Sequence, residues 1–146
     1  MSRKEEFLAQ YGNDDHVGAA LKSNDEDIRT HAASNSTISQ KHLDKAITDR
    51  NSSVRSYAAS NPNATVKHLD IAIHDKNLSN ALEAIRHPLS NEHHVDVASK
   101  SEYWVVRGEA AKHHKATKEQ LHILSKDEKN GVREIAKERL DHEFKS

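Results

Sequence analysis

The sequence repeats itself with a period of 26, which leaves few folds open to it. Val54-Arg55 recurs two periods further on as Val106-Arg107, after a lapsed copy at Asn80-Ala81, and again one period later as Val132-Arg133. Stepping by 26 places Ile28, Val54, Asn80, Val106 and Val132 in one column, and Arg3, Arg29, Arg55, Ala81, Arg107 and Arg133 in the next. Four positions after the first column stand Ala32, Ala58, Ala84, Ala110 and Ala136. Self-similarity at a fixed period without insertions marks stacked supersecondary units, none of which buries its apolar face alone.

Each unit reads as two short helices. Asn13, Ser39, Thr65, Asn91 and Thr117 share a column, and all can accept a backbone N–H at a helix start. Apolar residues follow four positions on (Val17, Leu43, Leu69, Val95, Leu121) and seven positions on (Ala20, Ala46, Ala72, Ala98, Leu124), which is one helical face. The second helix is expected to begin near Ile28, Val54, Asn80, Val106 or Val132, with its alanine one turn later. Pro62 and Pro88 stop two of these helices, because proline disfavours helical geometry in the residue before it.

Composition fits such a stack better than a single deep core. Hydrophobic residues make up 34% of the chain, and only 28 of 146 residues are Leu, Ile, Val or Phe. Scarcity of that kind signals disorder when net charge is high, but here 22 basic and 23 acidic residues leave a net charge of -1. Helices this short are unstable alone. Alanine joints let neighbours approach closely, so stacking supplies a thin core to each unit. The expected architecture is all-α, an α-solenoid of about five 26-residue two-helix repeats forming a single domain over 1–146. Its repeats are 2–27, 28–53, 54–79, 80–105 and 106–131, with 132–146 as a closing helix.

The stretch Val54-Arg55-Ser56-Tyr57-Ala58-Ala59-Ser60-Asn61-Pro62-Asn63-Ala64-Thr65, with Leu69 and Asp75, resembles the leucine-rich repeat variant. That is a HEAT-like α-solenoid family, similar also to repeats of bacterial and bacteriophage proteins. The resemblance implies a right-handed helical stack that serves as a binding scaffold, and it implies no reaction. It also implies a bacterial or phage-infected cytoplasmic setting.

The five arginines of the second column could track a phosphate backbone, but their spacing favours a structural role. Asp49, Asp75 and Asp127 stand six residues before Arg55, Ala81 and Arg133, an arrangement resembling the Asp–Arg ladder of HEAT-like repeats. His16, His42, His68 and His94, with Gln120 as fifth member, each follow a helix cap by three residues. This is the far side of a capping box, where an imidazole can bond back to the backbone of the cap. A pH-sensing or metal-binding spine is the rival reading, and the spacing of adjacent helices counts against a shared metal.

Several chemistries are excluded or unsupported. With no cysteine there is no disulfide, thiolate metal site or cysteine nucleophile. No glycine-rich phosphate loop, nucleophile elbow or zinc-hydrolase pattern occurs, so no catalytic residue, metal or cofactor is assigned. No apolar run approaches the roughly 20 residues of a membrane span, and Met1-Ser2-Arg3-Lys4-Glu5-Glu6 lacks the apolar core of a signal peptide, which leads to the expectation of a cytoplasmic protein without a membrane partner. The near-neutral charge argues against a general nucleic-acid binder.

Binding is expected where side chains change freely between units. Thr30, Ser56, Leu82, Gly108 and Glu134 form one such column on the second helices, and Ser34, Ser60, Arg86, Lys112 and Glu138 another. The unit 80–105 departs furthest from the pattern, with Asn80 and Ala81 in place of Val-Arg and Tyr103-Trp104 expected in the loop before the next unit. Leu82, Arg86, Leu89, Tyr103, Trp104 and Lys112 are therefore the candidate partner-binding patch. The alternative for Trp104 is that its ring fills space left where the columns lapse. Lys112, His113, His114, Lys115 and Lys118 read as a solvated helix end that could also meet an acidic partner or a phosphate. The function expected is a non-catalytic protein-interaction scaffold of unspecified oligomeric state. Nucleic-acid binding and a structural place in a larger particle such as a virion are the alternatives.

Overall fold

The computed structural model describes residues 3–144, and over them the chain is all-helical, with eleven helices and no strand. The first helices of the pairs are α2 (Asp14–Leu21), α4 (Gln40–Ala46), α6 (Val66–Ala72), α8 (Glu92–Ser99) and α10 (Lys118–Leu124). The second helices are α3 (Glu26–Ala33), α5 (Ser52–Ser60), α7 (Leu78–Arg86), α9 (Trp104–Lys112) and α11 (Asn130–Glu143), preceded by α1 (Arg3–Tyr11) in the same register. Both series of pair helices start one full sequence period apart at every step. No helix among the described residues is long and apolar enough to cross a membrane.

Caps fix these starts. Asn13, Ser39, Asn91 and Thr117 each accept the N–H three residues on, as their spacing predicts. The second helices begin two residues before Ile28, Val54, Asn80, Val106 and Val132, because a second cap column stands just ahead of them. Asp25, Asn51 and Asn77 accept N–H groups of the first turn there. At the next two places in that column Tyr103 and Lys129 supply no side-chain cap. Trp104 is thus the first residue of α9 and not part of a loop. Before Pro62 and Pro88, Asn61 and His87 are extended, which ends α5 and α7 as expected.

The chain divides into two compact units, 1–72 and 73–146. In the first, α1 packs on α3 and α3 on α5, while α2 packs on α3 and α4. In the second, α7 packs on α9 and α9 on α11, with α8 and α10 alongside. Every member of the alanine column, Ala32, Ala58, Ala84, Ala110 and Ala136, is fully buried. The most deeply buried large apolar side chains include Val17, Leu43, Ile47, Val54 and Leu69 in the first unit, and Ile85, Val95, Val106, Leu121 and Leu124 in the second.

One buried position conflicts with its column. Ile38, Ala64 and Ala116 are buried apolar residues, whereas their counterpart Ser90 buries a hydroxyl that finds no hydrogen-bond partner. An unsatisfied buried polar atom costs about 1–3 kcal/mol. Ser90→Ala is expected to stabilise the protein by about 1 kcal/mol and to raise the thermal midpoint by about 3 °C, read by circular dichroism. An unchanged or lowered midpoint would show that the hydroxyl is satisfied in solution.

Candidate functional site

The regular polar columns bond internally. Arg29, 3% exposed, donates Nε and Nη2 to Asp49 at 3.0 and 3.4 Å and Nη1 to the Ser23 carbonyl at 2.9 Å. Arg107 repeats this with Asp127 at 2.7 and 3.1 Å and with the Ser101 carbonyl at 2.9 Å. The arginines are structural, but the pairing differs from the six-residue expectation. Each carboxylate serves the arginine that opens its own repeat, Arg29 for Asp49 and Arg107 for Asp127. The arginine that opens the next repeat donates instead to a backbone carbonyl, Arg55 to that of Asp49 and Arg133 to that of Asp127. The hydrogen bond from Arg107 is the main reason the Asp127 carboxyl lies below its ordinary range.

The histidine column closes helix starts. His16 Nδ1 accepts the Asn13 N–H, and His94 Nδ1 accepts that of Asn91, each in a complete capping box; Gln120 does the same for Thr117. His68 accepts the Thr65 N–H at 3.0 Å, has Thr65 Oγ1 at the same distance, and places Nε2 2.7 Å from Asp44. A hydroxyl, imidazole and carboxylate in sequence have the membership of a nucleophilic triad. Here the imidazole is buried and Nδ1 already holds a backbone N–H, so the trio seals the start of α6. His42 is the exception to capping. The position matching Asp44 is Gly18, whose missing Cβ would lie 2.8 Å from His42 Nε2. The ring occupies that space and turns Nδ1 to Asp14 at 2.8 Å, and Asp14 also accepts the Ser39 N–H.

A further column was missed by sequence reasoning. Asn35 Nδ2 donates to the Ala9 and Gly12 carbonyls, Asn61 Nδ2 to those of Ala33 and Asn35, and Arg139 Nη1 to those of Ala111 and His113. Each clasps the carbonyl end of a preceding second helix. The signal was present in Asn35 and Asn61, which stand one full period apart.

The residues left over lie on the exposed second-helix positions, and the predicted patch falls into two places. Arg86 ends α7 and Lys112 ends α9, and both reach Glu109, at 3.0 and 3.7 Å. Burial pushes the Glu109 carboxyl up, but the Arg86 hydrogen bond and the two cations outweigh it and hold the group below its ordinary value. The same hydrogen bond raises the Arg86 guanidinium. A cleft of about 310 Å³ opens beside them, walled by Arg86, His87, Glu109, Lys112, His113 and His114. Leu82 is half-buried on α7, and Leu89, just beyond Pro88, is 45% exposed.

Tyr103 and Trp104 stand at the opposite end of α9, eight residues or about 12 Å from Lys112. The Tyr103 hydroxyl donates to the Lys76 carbonyl at 2.7 Å and borders a cleft of about 450 Å³ with Asp75, Asp96 and Lys100. Trp104 is 47% exposed, with Lys129 Nζ 4.7 Å from its ring centroid. In the two freely varying columns, Ser60, Arg86, Lys112, Glu134 and Glu138 are exposed or half-exposed, but Gly108 is buried and offers a partner nothing.

Among the described residues no three of His, Asp and Glu converge as a metal ligand set. The class these features define is an all-helical protein with a 26-residue structural period and surface clefts beside Arg86 and beside Tyr103 in its second unit. Comparison with family models and with curated proteins matched this chain to none of them.

Proposed function

We propose that the chain is a right-handed α-solenoid of two-helix repeats that works as a non-catalytic protein-interaction scaffold, in the manner of the leucine-rich repeat variant and HEAT-like families it resembles. The constant interval of helix starts and the packing of successive second helices within each unit support the solenoid. One observation carries the binding reading: the side chains that repeat are buried or hydrogen-bonded inside the units, whereas the second-helix column Ser34, Ser60, Arg86, Lys112 and Glu138, exposed from Ser60 on, changes from hydroxyl to cation to anion along the chain. A surface of that kind suits one particular protein better than a regular polymer. The contact surface comprises the α7–α9 ends, with Leu82, Arg86, Leu89 and Lys112, and the separate edge at Tyr103 and Trp104.

The test is a Trp104→Ala, Arg86→Glu double variant. It is expected to keep the helical circular dichroism of the parent and to lose capture of the partner from lysate of the native source, read by mass spectrometry. Capture at the parental level by a folded variant overturns the assignment of the surface. A gel shift with duplex DNA at low salt that collapses as salt is added would replace the protein partner with a nucleic acid.

A further inference from the structure

The α7–α9 cleft is rich in donors, and this extends the scaffold reading to a class of partner. His87 Nδ1 accepts the Leu89 N–H at 3.0 Å, and His113 Nδ1 accepts the Lys115 N–H at 3.1 Å. An imidazole that accepts at Nδ1 carries its proton on Nε2, so each neutral ring is fixed as an Nε2–H donor. Both rings line the cleft, as do Arg86 and Lys112, which are 56% and 60% exposed. Against these four donor groups the cleft lining sets one carboxylate, Glu109, already shared by the two cations. Ile85 and Pro88 give the same cleft an apolar margin, with Leu89 exposed beside it.

The surrounding charges agree with this inventory. Burial is the first cause that lowers His113, and the further causes are the neighbouring basic groups His114, Lys115, Arg139 and His94. The acids nearby are Glu109 on α9, Glu83 beside Arg86, and on α11 Glu138 and Glu143, the latter bound to Arg139. The positive field is therefore local and interrupted. A continuous phosphate backbone would meet Glu109 between Arg86 and Lys112, whereas a single carboxylate can enter between the cations and the imidazoles.

We infer that this cleft binds a glutamate or aspartate side chain of an acidic peptide segment, held by Arg86, Lys112 and the imidazoles of His87 and His113. The inference rests on the scaffold reading, and its test separates the two. The probe is a capped peptide of alternating Glu and Leu, titrated into the full chain at low salt and followed by NMR of the histidine Cε1–H signals. The His87 and His113 signals are expected to move in saturable fashion while His16 and His31, in the other unit, do not. The titration midpoint of His113 is expected to rise, since a bound carboxylate favours the imidazolium. Arg86→Ala with Lys112→Ala is expected to weaken binding at least tenfold. Glu109→Gln, which removes the internal competitor, is expected to tighten it severalfold.

Absent shifts at His87 and His113, or a weaker complex with Glu109→Gln, would overturn the inference. So would inorganic phosphate or single-stranded DNA that matches the peptide in affinity. If the peptide fails while Trp104→Ala with Arg86→Glu still abolishes partner capture, the carboxylate site falls and the scaffold stands. If the peptide binds while that double variant captures the partner as the parent does, the carboxylate site stands and the scaffold surface falls.

Discussion

Asp127→Ala is expected to cost about 3 kcal/mol of stability in urea denaturation, because it strands a guanidinium that is only 9% exposed. Arg107 would keep its bond to the Ser101 carbonyl but lose both carboxylate bonds, and Glu128 at 3.7 Å is too exposed to replace them fully. The chain itself contains a control. At the same place in the preceding repeat Ala81 stands for the arginine and Ser101 for the aspartate, so both partners lapse together. Ser101 Oγ still accepts the Tyr103 N–H, as Asp127 Oδ1 accepts that of Lys129. Arg107→Ala with Asp127→Ser therefore keeps the turn and removes the stranded charge. The double variant is expected to lose less than the sum of the single changes by about 1–3 kcal/mol. Additive losses would show that the pair is not coupled.

The pair also gives an acid dependence of known sign. The Asp127 carboxyl is depressed below its unfolded value near 3.8, so its contribution is complete above that value and disappears as pH falls through the folded one. The parent should lose stability more steeply below pH 3.8 than the Arg107→Ala, Asp127→Ser variant. Parallel acid limbs would remove Asp127 as the titrating group.

The sequence is legible where a residue acts on its own helix. Asn13, Ser39, Asn91 and Thr117 were readable as caps because cap and recipient lie three residues apart. Pro62 and Pro88 were readable because their effect falls on the preceding residue. Relations between repeats were harder. The Asp49 carboxylate goes back to Arg29 rather than forward to Arg55, and only the joint lapse at Ala81 and Ser101 hints at that register. His42 leaves the capping role because of a glycine one repeat back, an effect no single column contains. The candidate patch divides for a similar reason. Trp104 and Lys112 belong to one helix, and once its start is fixed just after Tyr103 they lie at opposite ends. Glu109, which joins Arg86 to Lys112, was identifiable only through the packing of α7 on α9.

Asn61→Ala is expected to be about as damaging as the loss of Asp127, for a reason unrelated to charge. Asn61 Nδ2 satisfies two buried carbonyls at once, those of Ala33 and Asn35, both at 2.9 Å, and its Oδ1 accepts the Asn63 N–H at 2.9 Å. Ala33 and Asn35 are themselves 0% and 1% exposed, so water does not readily replace the amide. Two orphaned acceptors at about 1–3 kcal/mol each, less some relaxation, give a loss of about 3 kcal/mol. Asn61→Asp sharpens the test, since it keeps the shape and reverses the hydrogen bonding. A carboxylate there would face two carbonyl oxygens with no proton to offer, and only its protonated form could donate one. Its unfolded-state value is the ordinary one, so burial against acceptors must raise the folded one, and the variant should gain stability relative to the parent as pH falls from about 7 toward about 4. That trend is opposite to the one expected from Asp127. If Asn61→Asp matches the parent at neutral pH, the Asn61 amide does not hold the two carbonyls, and the joint between α3 and α5 is left to its buried alanines, Ala32, Ala33, Ala58 and Ala59, and to the hydrogen bond from Asn51 to Glu26.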